Sequence, residues 1–182
     1  TYVATAEVIA LLGATPVFVD VYESTFNIDC EKLESAIQNT ISEGKLKPKA
    51  IIPVDLFGVP ARYRLIDHIA KKYDLKVIED AAQSFGASIR NQKVGTFGDV
   101  AATSFYPAKP LGCYGDGGAI FTNNDDIAEQ CKAIRIHGTT TDRYHSELIG
   151  LNGRLDSMQA AVLLEKLTIF DEELDLRQNI SN

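Results

Sequence analysis

The sequence predicts an α/β fold with a mainly parallel sheet, and two observations predict it. Short apolar runs rich in β-branched residues alternate with segments of helical period along the 182 residues. The runs at 50–54, 76–80 and 100–104 are joined by connections that read as crossovers, as parallel pairing requires. The run at 118–122 returns after a short glycine-rich turn, so it should close the sheet antiparallel to 100–104.

The elements follow in order. Residues 4–12 are apolar all round and read as a buried helix stopped by Gly13. Residues 15–19 read as a short strand ending at Asp20. Asn27-Ile28-Asp29 opens a helix over about 30–39, with Leu33, Ala36 and Ile37 on one face. The basic stretch 45–49 reads as a solvated turn, and 57–60 as a second turn. Residues 62–73 form an amphipathic helix with Leu65, Ile66, Ile69, Ala70 and Tyr73 inward. Residues 87–94 fit a small hairpin with Asn91-Gln92 at its tip. A helix over 124–135 is followed by an extended piece near 134–138 and a polar loop at 139–146. Asp156 and Gln159 form a capping box for one long helix reaching about residue 177.

Composition bounds the function. Apolar residues make up 45 % and charged residues 24 %, as in ordinary globular proteins. A net charge of −7 with no basic block argues against nucleic acid and against anionic membrane surfaces. No apolar run is long enough to span a bilayer. Cys30, Cys113 and Cys131 are odd in number and fit a reducing cytosol, so a cytoplasmic protein is expected. His68, His137 and His145 have no metal-ligand spacing, and no metal site is expected.

The chemistry concentrates in two stretches. The run 100–105 ends near Ser104 and passes into a loop where Lys109 stands between Pro107 and Pro110. The prolines restrict the backbone around the lysine. A lysine held by stiff backbone at the end of a buried strand is partly desolvated and nucleophilic. The run 76–80 ends in Asp80, and the two alanines after it leave room for a flat ring. Ligands of α/β proteins sit at the carboxyl ends of parallel strands. A lysine that forms an imine and an acid that keeps a ring nitrogen protonated meet the needs of pyridoxal 5′-phosphate.

The motifs Glu-Asp-Ala-Ala-Gln (79–83) and Ser-Phe-Tyr-Pro-Ala-Lys-Pro-Leu-Gly (104–112), with Gly-Asp-Gly-Gly (115–118), resemble the DegT/DnrJ-type sugar aminotransferases. Thr5-Ala6-Glu7, the segment 13–20, Ile-Pro-Val-Asp-Leu-Phe-Gly (52–58) and Gly-Leu-Asn-Gly-Arg-Leu-Asp (150–156) extend the resemblance over nearly the whole chain. It implies the aspartate-aminotransferase fold, fold type I: a three-layer α/β/α sandwich, here as a truncated large domain over 1–182. By that resemblance, an N-terminal segment with two strands and a phosphate-cradling Gly-Thr turn is absent, as is a small C-terminal domain. An isolated chain of this extent is then expected to show no measurable transaminase activity.

The resemblance also implies roles. Lys109 matches the Schiff-base lysine, Asp80 the partner of the pyridine nitrogen, and Gln83 the group near the phenolic oxygen. Ser104 matches a phosphate-binding hydroxyl, and Asn152 an asparagine reaching the phosphate in a neighbouring subunit, which implies a homodimer with shared sites. Arg154 is placed to meet an anionic nucleotide sugar. A turn role for Asn152 and a salt-bridge role for Arg154 are the structural alternatives. Asp55 stands where the family often has histidine and receives no role. The segments 109–118, 143–145 and 150–156 look most like enzymes that aminate nucleotide-linked 3-keto uronic acids, with glutamate as donor, for surface polysaccharides such as lipopolysaccharide. Three other readings stay open: a sugar dehydratase of the same family, which calls for histidine where Lys109 stands; a non-catalytic cofactor-binding regulatory relative; and a nucleotide-binding Rossmann domain, for which the G-x-G-x-x-G pattern is missing.

Overall fold

The structure is a computed structural model, and it describes residues 2–140 and 144–181. In chain order the elements are α1 (Ala4–Leu11), α2 (Cys30–Glu43), β1 (Ala50–Ile51), a 3-10 turn (Leu56–Gly58), α3 (Tyr63–Tyr73) and β2 (Lys76–Asp80). There follow β3 (Ser88–Ile89), β4 (Gln92–Lys93), β5 (Val100–Ser104), β6 (Gly118–Phe121), α4 (Asp125–Ile134), α5 (Ser157–Leu167) and α6 (Phe170–Ser181).

The main sheet has the order β1-β2-β5-β6. The first three strands pair in parallel and β6 runs antiparallel to β5, as expected. β1 is shorter than the 50–54 run. Pro53 carries no N–H for the ladder, so pairing resumes only at the isolated bridge between Val54 and Asp80.

The larger core joins α2 and α3 to β1 and β2. Leu33 and Ile37 of α2 meet Ile66, Ile69 and Ala70 of α3 over Ile51 and Val77. α2 starts because Asp29 accepts from the N–H groups of Glu31 and Lys32, and it stops at Gly44, whose φ is +68°. A second cluster packs Leu163 of α5 and Phe170 of α6 on Phe105, Leu111 and Cys113. Helices α5 and α6 therefore press on the loop that follows β5.

Several expectations change. α1 forms, but none of its residues is buried, and Leu11 is 85 % exposed. The run 15–19 pairs with no strand, and Phe18 is exposed. An apolar run becomes a strand only where a neighbour takes its N–H and C=O groups, and among the described residues none does. The hairpin turns at Arg90-Asn91, one residue earlier than expected, with both residues at positive φ as a tight primed turn demands. The long final helix is two helices, α5 and α6. Thr168 and Ile169 interrupt it, and Phe170 enters the second cluster instead of continuing the first helix's face. The piece at 134–138 makes a single bridge, Ile136 with Asn152. Arg143, part of the substrate resemblance, lies outside the described residues.

Candidate active site

Pairing register places the first two groups. Asp80 of β2 lies opposite Ala102 of β5, and Ser104 is two residues further along β5. Alternate strand residues share a face, so Asp80 and Ser104 leave the same face of the sheet, at its carboxyl edge. Glu79 lies opposite Ala101 and takes the other face.

Asp80 is half-buried, and both carboxylate oxygens are engaged. Oδ2 accepts from the Thr5 hydroxyl at 2.6 Å, and Oδ1 accepts from the Ala82 N–H at 3.1 Å. Gln83 sits in the turn after β2. Its Oε1 accepts from the Phe57 N–H at 2.8 Å, which assigns the amide oxygen and leaves the NH₂ as donor. Phe57 offers that N–H from a left-handed conformation, φ +57°, uncommon for a bulky residue. The Ser104 oxygen accepts from the Tyr106 N–H at 3.2 Å, so its own O–H remains available to an anion.

Lys109 is half-buried in a loop that closes on itself. Its N–H donates to Tyr106 C=O, and the N–H of Cys113 donates to Phe105 C=O, both at 2.8 Å. A Cβ on Gly112 would stand 2.5 Å from the Pro107 oxygen, so only glycine permits this closure. α5 tethers the loop at two points. Gln159 Oε1 accepts from the Tyr114 N–H at 2.7 Å, and Lys166 Nζ donates to Gly112 C=O at 2.6 Å. The capping box is therefore half made: Asp156 caps the Gln159 N–H, while the Gln159 side chain serves the lysine loop.

Beneath the edge lie two fully buried acids. Asp55 Oδ1 accepts from the Ala61 N–H and the Tyr63 O–H, both at 2.8 Å, and Oδ2 accepts from the Ser84 O–H at 3.0 Å. It thereby ties the loop after β1 to the turn carrying Gln83. Burial pushes Asp55 up to about 6, against the pull of its hydrogen bonds, and the charge of Glu79 adds to the rise. Burial, then the charges of Asp55 and Glu79, also push the Tyr63 phenol up.

Asn152 and Arg154 pair with each other on the segment before α5. Both are exposed; Asn152 Oδ1 accepts from Arg154 Nε at 2.8 Å. Among the described residues Arg154 forms no ion pair, so the salt-bridge alternative is not what is seen. Sequence reading missed Thr5, Phe57, Gln159 and Lys166 as supports of the site. Thr5 and Phe57 fall in motifs of the resemblance without a role, Gln159 points to a cap, and Lys166 carries no signal.

An α/β sheet with an acid, a hydroxyl and a loop-held lysine at its carboxyl edge fits a ligand-binding α/β domain. The chain belongs to the DegT/DnrJ/EryC1/StrS aminotransferase family, whose profile matches residues 1–182. It is 54 % identical over 181 residues to a UDP-2-acetamido-2-deoxy-3-oxo-D-glucuronate aminotransferase of Pseudomonas aeruginosa PAO1, covering 100 % of this chain and 48 % of the relative. A solved aminotransferase of this family from Brucella abortus is 56 % identical with a TM-score of 0.97, covering 99 % of this chain and 48 % of that one. NtdA from Bacillus subtilis, solved with bound cofactor PMP, is 33 % identical with a TM-score of 0.82, covering 93 % of this chain and 37 % of that one. The chain spans about half the length of the relatives it matches. No helix among the described residues is long and apolar enough to cross a membrane.

Proposed function

We propose that the protein carrying this chain is a pyridoxal 5′-phosphate-dependent aminotransferase that moves an amino group from glutamate to a nucleotide-linked keto-sugar. The favoured acceptor is a 3-keto uronic acid, and the setting is surface polysaccharide synthesis. In this reading residues 1–182 are the cofactor-binding part of the large domain. The observation that carries it is the placement of Asp80 and Ser104 on one face of neighbouring strands, next to the closed Lys109 loop.

The residues fit the cofactor. Asp80 keeps acceptor capacity for a ring N–H, Gln83 offers NH₂ donors to a phenolic oxygen, and Ser104 keeps a free O–H for phosphate. When bound, the cofactor supplies an electron sink for the carbanion formed at the amine-bearing carbon. Lys109 would hold it covalently through Nζ. Freed by the incoming amine, that Nζ would take the proton from the substrate carbon as a base and deliver it to the cofactor carbon as an acid. Asp80 holds the proton on the ring nitrogen. Ser104 would hold the phosphate through its O–H.

Asn152 and Arg154 are exposed and hydrogen-bonded to each other. We assign Asn152 to the cofactor phosphate of a partner subunit in a homodimer, and Arg154 to the anionic part of the nucleotide sugar. Three free thiols, Cys30, Cys113 and Cys131, accord with a cytoplasmic location.

A coupled assay of the full-length protein with glutamate and a panel of nucleotide keto-sugars tests the reading. Turnover of a 3-keto uronic acid is expected. Cofactor binding without amino transfer to any member would favour a regulatory relative.

A further inference from the structure

We propose that Thr5 is a positioning residue: its hydroxyl fixes the Asp80 carboxylate in the orientation in which it meets the ring nitrogen. This rests on the cofactor reading above. The two residues are 75 positions apart, yet Thr5 Oγ1 lies 2.6 Å from Asp80 Oδ2, in the short range of charge-assisted O–H···O⁻ bonds. The torsion about an aspartate Cβ–Cγ bond is soft. Here the two oxygens are held by two different donors, Thr5 on Oδ2 and the Ala82 N–H on Oδ1. Together they stop the carboxylate from turning, and each oxygen keeps a further lone pair.

The bond is not the habit of a helical threonine. Such a hydroxyl commonly bonds back to the carbonyl one turn earlier, as Thr40 does to Ala36 C=O in α2. Thr5 lies in the first turn of α1 and turns instead to an acid on the sheet. α1 has no buried residue, and its start has no side-chain cap, so the helix gains little packing at this point. What the contact does secure is the acid.

The experiment compares full-length wild type, Thr5→Val, Thr5→Ser and Asp80→Asn, plus the Thr5→Val/Asp80→Asn double variant. Each is read by pyridoxal phosphate titration of the apoprotein, by the pH midpoint of the bound cofactor's visible absorbance, and by apoprotein melting. Thr5→Val is expected to weaken cofactor affinity about tenfold or more, the worth of one hydrogen bond to a charged group. The pH midpoint should move upward, because a less firmly held ring proton draws less charge from the imine. Thr5→Ser should restore both. In the Asp80→Asn background Thr5→Val should add little, since the two act as one unit. Wild-type affinity and midpoint in Thr5→Val would overturn the proposal. So would additive effects in the double variant, or a loss confined to melting temperature, which marks a helix anchor only. If wild type itself gives no cofactor absorbance, or Lys109→Ala keeps the same band, the cofactor reading has failed, and the proposal with it.

Discussion

Glu79 and Asp80 are adjacent in sequence and leave β2 on opposite faces, where they meet opposite surroundings. Glu79 is fully buried, and its oxygens accept from the backbone N–H groups of Gly95 at 2.6 Å and Phe97 at 3.1 Å. It staples the segment after the hairpin to the sheet. Asp80 is half-buried at the carboxyl edge and keeps acceptor capacity for one more donor. Asp55 resembles Glu79: fully buried, with three donors around it. The contrast teaches how to separate structural acids from chemical ones. A buried acid whose oxygens hold backbone and hydroxyl donors organises loops, whereas an acid with spare capacity at the carboxyl edge of a sheet can serve a ligand.

The sharpest way to break this division is to alter the chemical face alone. Lys109→Ala in the full-length protein should lower amino transfer by more than about 10³-fold, since it removes both the covalent anchor and the proton carrier. Denaturation midpoints should barely move, because among the described residues the Lys109 side chain makes no hydrogen bond. A Lys109→Ala protein that still turns over would break the assignment of this loop to chemistry.

The structural face should answer in stability and in pH. Asp55 has its folded value raised to about 6 from an ordinary 3.8. Between those values the folded state holds the proton more tightly than the unfolded chain does. Its stabilising share is present below about pH 4 and lost as pH rises through about 6. Asp55→Asn removes this loss, since Oδ1 can keep Ala61 and Tyr63 while the amide donates to Ser84. The variant should gain on wild type by about 2 kcal/mol as pH rises from 4 to 7, measured by urea denaturation at each pH. A constant gap would show that Asp55 is not held in an unfavourable ionised state.

Glu79→Gln ranks next. One backbone N–H, of Gly95 or Phe97, would face the amide NH₂ and lose its acceptor. Such an orphan costs roughly 1–3 kcal/mol. The expected outcome is a lower denaturation midpoint with unchanged activity per folded molecule. A large fall in kcat at full folding would show that the two faces are coupled.

Much of this was legible in the sequence because it is local. The β-branched runs and the turn at Gly115–Gly118 dictate three parallel strands and one antiparallel return. Asp80 stands out because it ends an apolar run, and Lys109 because it stands between two prolines in the loop after another. The helix expected over 124–135 forms as α4, with Asn124 as its cap. What stayed hidden depends on distant partners. Thr5 reaches an acid 75 residues away, which no local pattern encodes. The apolar run 15–19 has strand composition but no neighbour to pair with among the described residues. The role of Asp55 follows from Ser84 and Tyr63 arriving from two other segments. The break at Thr168-Ile169 reflects the packing of Phe170 rather than any strong helix breaker.

The smallest effect is expected where the structural face touches the chemical one. α5 packs Leu163 in the cluster under the lysine loop, and from the same helix Gln159 accepts the Tyr114 N–H. Gln159→Ala removes that acceptor. Tyr114 is exposed, so water can replace the lost bond, and the stability cost should stay near 0.5–1.5 kcal/mol. The loop keeps its internal closure through Cys113 and Gly112, and its second tether through Lys166. Lys109 should therefore wander slightly rather than leave the site, and kcat should fall only a few-fold while the KM for glutamate holds. Adding Lys166→Met removes the second tether, so the two losses should exceed their sum if both hold one loop. Strict additivity in kcat would show that the loop's own turns, and not α5, place the lysine.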